Sequence, residues 1–419
     1  MTMKKLLFFG AALLMAAACS KGGYNLIDGD YSAREYGGAM SDADGPGWGG
    51  GEGGAGHNGG QAGILTAGEW NDLIHWDFWG GLMSREPAPE GEGIDPEQQV
   101  PDYAGMAYMW GFNTSRRVAV RVSRTDGTPA ANAKVQLYQG NDLLWTTRTS
   151  NKGEAQLWQD LFSPKGQEST STTPLTVVIE GVAQTGSPAV CSWTSAPVNE
   201  YVADITAPQP KADIAFIVDA TGSMTDEIDF LKKDLLDILG KVQQSQSGVS
   251  IRTGAVFYRD KGDDYLTRSS EFGTPANTMS FIKKQEAGGG GDLPEAVHSA
   301  LSCALSELTW DATARARMAF LILDAPAHQD QQGVVESLQK SIRNFATEGI
   351  RLVPVLASTG DKTTEFMCRD FAIATGGTYV FLTDDSQVGG EHLTPSVGEY
   401  AVEKLNDLLV RLIGEYIAQ

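Results

Sequence analysis

The sequence predicts an α/β protein: a doubly wound, mostly parallel sheet, preceded by a small all-β module and a glycine-rich flexible lead. Three observations predict it. Over residues 211–419, apolar runs of strand length rich in Val, Ile and Phe alternate with amphipathic helical stretches, the pattern of strands buried on both faces by crossover helices. Over residues 111–207 the pattern changes to short alternating strands separated by turn sequences. Between Gly37 and Gly63, 13 of 27 positions are glycine, and no packed core can be made from that composition.

At the amino terminus, Lys4 and Lys5 precede an apolar run from Leu6 to Ala18 interrupted by Gly10. About a dozen apolar residues suit a signal-peptide core, because a membrane span needs roughly 20. The run ends in Ala16, Ala17, Ala18 and Cys19, which resembles the lipobox of bacterial lipoproteins, although Ala16 stands where leucine is commoner. The resemblance implies that residues 1–18 are a removable signal, that Cys19 is acylated, and that lipid alone holds the protein to the cell envelope. Ser20 next to that cysteine is compatible with outer-membrane sorting, on the periplasmic or the surface face. Residues 19–64 then serve as a flexible linker.

The chain carries 32 Lys+Arg against 53 Asp+Glu, a formal charge of -21. Non-specific nucleic-acid binding needs clustered cations that neutralise phosphates, so that class of function is not expected. Cys191, Cys303 and Cys368 are an odd set without CxxC or His spacing, and read as buried thiols.

Residues 65–110 read as an irregular, aromatic-rich segment. Trp70, Trp76, Phe78 and Trp79 fall close together with Leu73 and Ile74, and are expected to pack as a plug on the neighbouring domain, with His75 structural among them. In the next module the strands are RRVAVRVS, AKVQLYQ, LLWTTRTS, EAQLWQ and LTVVIEG. The stretch TDGTPAANAKVQLYQGNDLLWTTRTSNKGEAQL is similar to the carboxypeptidase-regulatory or transthyretin-like β-sandwiches, Ig-like modules without catalytic groups. Its 8 basic and 8 acidic residues balance, which suits a spacer or docking unit.

From residue 211, the expected strands are ADIAFIVD, GVSIRTGAVFY, RMAFLILD, IRLVPVLA and TYVFL. One helix carries Ile228, Leu231, Leu235, Ile238 and Val242, and the last carries Val402, Leu405, Leu409, Leu412 and Tyr416, at three- and four-residue spacing. In a sheet of this kind ligands bind beyond the carboxyl ends of the strands. The first strand ends in DATGSM, so Asp219, Thr221 and Ser223 present oxygens two residues apart in a tight loop. One carboxylate and two hydroxyls form a hard oxygen set with room for water and an incoming group.

This D-x-T-x-S motif resembles the metal-ion-dependent adhesion site of von Willebrand factor A-type domains. EAGGGGDLPEAV and LILDAPAH resemble that family's second and third site loops. The resemblance, over residues 211–419, implies that Asp324 takes the strand-end role and that Asp292, or second Glu295, takes the place where many members have Thr. It implies Mg²⁺ as the ion, with Mn²⁺ and Ca²⁺ also suited to oxygen ligands. Arg259 and Asp260 are expected to pair beneath the loop, and His328 to cap or bond a backbone carbonyl.

The function expected is a lipid-tethered binding protein, not an enzyme, whose ion takes its last ligand from a protein partner's carboxylate or other oxygen. One alternative is an assembly component of an envelope complex without metal-mediated binding. The other is a metal-dependent hydrolase. Haloacid-dehalogenase-like enzymes carry a second acid where this chain has Thr221, and no GxxxxGK[ST], HExxH or GxSxG occurs.

Overall fold

The computed structural model describes residues 65–85, 102–163, 169–291, 293–386 and 392–418. The expected signal, Cys19, the glycine-rich linker and Asp292 lie outside the described residues.

The described residues all belong to one compact unit. Its first elements are β1 (Thr66–Trp70), α1 (Trp76–Ser84) and α2 (Tyr103–Trp110). Seven strands follow: β2 (Arg117–Arg124), β3 (Lys134–Gln139), β4 (Asp142–Arg148), β5 (Glu154–Trp158), β6 (Leu175–Ile179), β7 (Val182–Ala183) and β8 (Val198–Ala203). They make a three-stranded sheet, β5-β2-β8, and a four-stranded sheet, β4-β3-β6-β7. The two-residue period explains the faces: Val118, Val120 and Val122 of β2 are buried together with Val135 and Leu137 of β3 and Val177 and Ile179 of β6. Burying each such side chain is worth about 1.5–3 kcal/mol.

The rest of the chain runs β9 (Gln209–Asp219), α3 (Thr225–Ser245), β10 (Ser250–Tyr258), β11 (Thr267–Gly273), α4 (Pro275–Ile282), α5 (Val297–Ser306) and β12 (Ala314–Leu323). It continues through α6 (Val334–Glu348), β13 (Ile350–Leu356), α7 (Lys362–Thr375), β14 (Tyr379–Thr383), β15 (Glu403–Lys404) and α8 (Leu405–Ile417). The eight-stranded sheet has the order β11-β10-β9-β12-β13-β14-β1-β15. Strands β10, β9, β12, β13 and β14 are parallel; β11 pairs antiparallel with β10 at one edge, and β1 pairs antiparallel with both β14 and β15 at the other. The fold is therefore the expected mixed α/β architecture, a mostly parallel sheet flanked by helices beside a separate small-sheet region.

Local chemistry sets the helix ends that frame the sheet. Asp361 caps α7 by accepting from the Thr364 amide at 2.7 Å. Helix α6 stops at Gly349 in the left-handed conformation (φ 66°). There Arg317 donates to the Glu348 carbonyl at 2.8 Å and Arg351 to the Gly349 carbonyl at 3.1 Å, placing two cations on the negative end of the helix.

Three sequence readings change. The described residues of the 65–110 segment, 65–85 and 102–110, are not irregular, because β1 pairs with both β14 and β15 (Trp70 opposite Tyr379, Ala67 opposite Glu403) and two helices follow it. Val402 does not belong to the last helix; it precedes β15 and is exposed, while Leu405, Leu409 and Leu412 are buried. Strand β11 had no signal because TRSSEFG lacks apolar alternation, as an exposed edge strand allows. The aromatics do pack as expected: Trp79 meets Tyr103 and Phe366, Trp76 meets Trp158 and Trp193, and His75 stacks on Trp70 at 4.1 Å.

Candidate metal centre

The strand order reverses between β9 and β12, since the chain passes from β9 outward to β10 and returns to the other side with β12. A crevice therefore opens beyond the carboxyl ends of these two strands. Asp219 is the last residue of β9 and Asp324 follows β12 directly, so the topology brings them to one place.

Asp219 is fully buried. Its Oδ1 accepts from the Thr221 amide at 2.9 Å and from the Thr221 hydroxyl at 2.7 Å, while Oδ2 has no partner. Asp324 accepts from the Thr359 hydroxyl at 3.2 Å, and its Oδ1 is buried without a partner. Glu295 reaches the same crevice from the loop before α5. Its amide donates to the Pro326 carbonyl at 2.8 Å, which ties that loop to the one after β12. Glu295 Oε2 is likewise buried and unpartnered. Thr221, Ser223, Gly290 and Leu293 line the mouth with Glu295.

Buried carboxylates facing one another resist ionisation. Burial, and then the nearby Asp324, push Asp219 up to about 7, against the pull of the Thr221 bonds. Burial, followed by Asp219, Asp260, Asp263 and Asp324, pushes Glu295 up to about 9. Asp324 is raised by burial. Tyr258, at the end of β10, is held well above the usual phenol range by burial and by the same three acids.

Three carboxylates, each with a buried oxygen lacking a partner, fit a cation, because a cation would supply the missing contact and relieve the repulsion. Among the described residues no three His, Cys, Asp or Glu side chains are grouped closely enough to hold an ion by themselves. A donor set here would therefore need the Thr221 and Ser223 hydroxyls and water, a composition that suits a hard ion with an open coordination position. The structure brings together Asp219, Thr221, Ser223, Asp324 and Glu295.

The surroundings depart from expectation in two places. Arg259 does not pair with Asp260. It donates to the Ala220 carbonyl at 3.0 Å and the Glu286 carbonyl at 2.8 Å, and lies 3.7 Å from Asp264. Its planar fork links the loop after β9 to the glycine loop through two backbone acceptors. Asp260 instead meets His328, with Nε2 to Oδ1 at 2.8 Å. Asp263, which the sequence did not single out, accepts from the Gly290 amide at 3.0 Å and pins the same loop. Its place in FYRDKGD was visible, but its partner is an amide 27 residues away.

Comparison with known proteins bears on the domain and not on the site residues. The family described as von Willebrand factor A domain matches residues 213–384. The alpha-protein kinase vwkA of Dictyostelium discoideum is 32% identical over 147 residues, which cover 34% of this chain and 23% of that relative, about a quarter of its length. Among solved structures, proximal thread matrix protein 1 from the mussel byssus aligns with a TM-score of 0.31 and 14% identity, over 49% of this chain and 45% of that one. A von Willebrand factor A domain is thus present at residues 213–384.

Proposed function

We propose that the protein is a lipid-anchored component of the cell envelope that binds a protein partner through a divalent cation held at the carboxyl edge of the main sheet. A von Willebrand factor A domain supports a protein-interaction or adhesion role in general. The finer reading rests on one observation: Asp219, Asp324 and Glu295 converge with an unpartnered buried oxygen each, beside two hydroxyls, at a mouth open to solvent.

Asp219, Thr221, Ser223 and Asp324 would hold the ion, with Glu295 facing it and Asp292 on the same loop. Mg²⁺ suits this oxygen set, as do Mn²⁺ and Ca²⁺. When bound, the ion supplies a Lewis-acidic position that accepts a carboxylate or other oxygen from the partner. The chain's own residues do the rest. Thr221 orients the Asp219 carboxylate, Thr359 orients that of Asp324, and the Asp263 and Arg259 contacts hold the loops at the mouth. Leu293, 64% exposed at the rim, offers an apolar contact beside the ion. Acylation at Cys19 and a flexible linker would let this face range away from the membrane.

Thermal unfolding with Mg²⁺, Mn²⁺, Ca²⁺ or chelator tests the site. Cations are expected to raise Tm in the parent protein and not in Asp219→Ala, and pull-down of envelope proteins should be lost in that variant. A parent protein whose Tm ignores all three cations would reject metal-mediated binding.

A further inference from the structure

A second cluster stands at the carboxyl edge of β13 and β14, beside the candidate metal centre, to which Thr359 joins it by its bond to Asp324. Ser358 lies two residues beyond β13, Asp384 directly follows β14, and His392 lies eight residues further on. Ser358 Oγ is 3.1 Å from His392 Nε2, and His392 Nδ1 is 2.6 Å from Asp384 Oδ1. The same Asp384 oxygen accepts from the His392 amide at 3.1 Å. Two contacts from one carboxylate fix the ring, and an Nδ1–H directed at Asp384 leaves the Nε2 lone pair facing the serine hydroxyl.

That is the geometry in which a histidine can take a serine's proton, and the chain order Ser, Asp, His is the one found in α/β-hydrolases. Ser358 also sits where such a nucleophile stands. Strand β13 ends at Leu356, helix α7 begins at Lys362, and between them Thr359 is held at φ 66°, a strained angle for a β-branched residue. Sequence inspection misses the elbow because Leu356 occupies the place of the first glycine in GxSxG; only the S-x-G half, Ser358 to Gly360, is present.

We infer that Ser358 is an acyl-accepting nucleophile toward small esters, with His392 as its base and Asp384 as the positioning residue. The step balances without a metal or redox partner. Ser358 Oγ attacks the ester carbonyl carbon while its proton moves to His392 Nε2. The C–O bond to the alcohol then breaks and the alcohol leaves with that proton. Water, deprotonated by the same nitrogen, cleaves the acyl-serine and restores the hydroxyl. Small esters are specified because Ser358 is only 7% exposed. The Ser358 hydroxyl also donates to Glu227 Oε1 at 3.0 Å, and that oxygen accepts from the Ser358 amide at 3.3 Å; the reactive arrangement is the rotamer in which the serine proton has left Glu227 and points at His392.

The test uses the full chain, a fluorophosphonate probe and p-nitrophenyl acetate. The parent protein is expected to take one probe molecule on the Ser358 peptide by mass spectrometry, and to do so equally with chelator. Labelling should vanish in Ser358→Ala, and ester turnover should fall about 100-fold or more in His392→Gln. Asp384→Asn, an exposed position that the fold does not need, should lower turnover with unchanged Tm. A folded parent protein that takes no probe, or labelling that persists in Ser358→Ala, overturns the assignment.

Discussion

Arg369 and Asp72 form a two-point ion pair across 297 residues of sequence, with Nη2 to Oδ1 at 2.6 Å and Nε to Oδ2 at 2.9 Å, and both side chains are buried. The same guanidinium donates to the Ser396 carbonyl at 2.6 Å and the Tyr103 hydroxyl at 3.1 Å, and lies 4.9 Å from the Trp79 ring centre. One side chain of α7 thus joins β1's trailing turn, α2 and the connection that leads to α8.

Removing one partner of a buried pair leaves a charge without compensation, which costs about 3–5 kcal/mol. Asp72→Ala is therefore expected to lose that much in urea unfolding, although Asp72 lies far in sequence from the domain it stabilises. Asp72→Asn keeps the shape and one acceptor oxygen for the guanidinium, and should lose less. Equal, small losses in both variants would show that Glu365, 3.5 Å from the guanidinium, carries the compensation instead.

The raised carboxyls of the candidate metal centre predict a pH dependence with a definite sign. In the absence of cations Asp219 titrates at about 7 and Glu295 at about 9 in the folded protein, whereas unfolded carboxylates titrate near 4. Between those limits the folded state holds more protons than the unfolded one, so stability falls as pH rises from about 4 to about 9. Cation binding requires the ionised acids, so the Tm gain from Mg²⁺ should be larger at pH 8 than at pH 6. Glu295→Gln mimics the neutral acid and should flatten the metal-free profile. Differential scanning calorimetry in chelator and in Mg²⁺ checks both slopes.

Arg259 offers a test of loop support without touching the ion's donors. Its two carbonyl bonds and its stacking over Tyr265 at 4.7 Å hold the 220 and 286 loops together. Lysine keeps the charge but not the planar fork. Arg259→Lys is expected to weaken cation affinity about tenfold, with a global stability loss of only about 1–2 kcal/mol from the lost hydrogen bonds. Isothermal titration with Mn²⁺ and urea unfolding separate the two effects.

How much of this was legible in the sequence follows from distance along the chain. The five parallel strands were readable because each is a continuous apolar run, and Asp219 and Asp324 because they end two of those runs. Ile228 to Val242 were readable as one buried helix face. Strand β1 was not, since TAGEW is short and its partner Tyr379–Thr383 lies some 300 residues later. The same is true of Arg369, whose burial depends on Asp72, and of Asp263, whose acceptor role depends on a glycine amide. Where a residue's role is set by a local period it can be read; where it is set by a partner brought in by topology, it cannot.

Gly290 supplies the last prediction. Its φ is 68°, and a Cβ placed there would lie 3.1 Å from Thr221 Cβ and 3.3 Å from Glu295 Oε1. Gly290→Ala therefore pays backbone strain of about 1–2 kcal/mol for a left-handed L-residue and pushes directly on two residues of the metal centre. Gly291, its neighbour, has nothing within 4 Å of such a Cβ. If the crevice binds a cation, Gly290→Ala should lose most of the Mg²⁺-induced Tm gain while Gly291→Ala keeps it. Equal behaviour of the two variants would mean that the glycine loop does not shape the ion's surroundings, and that its glycines serve only the turn.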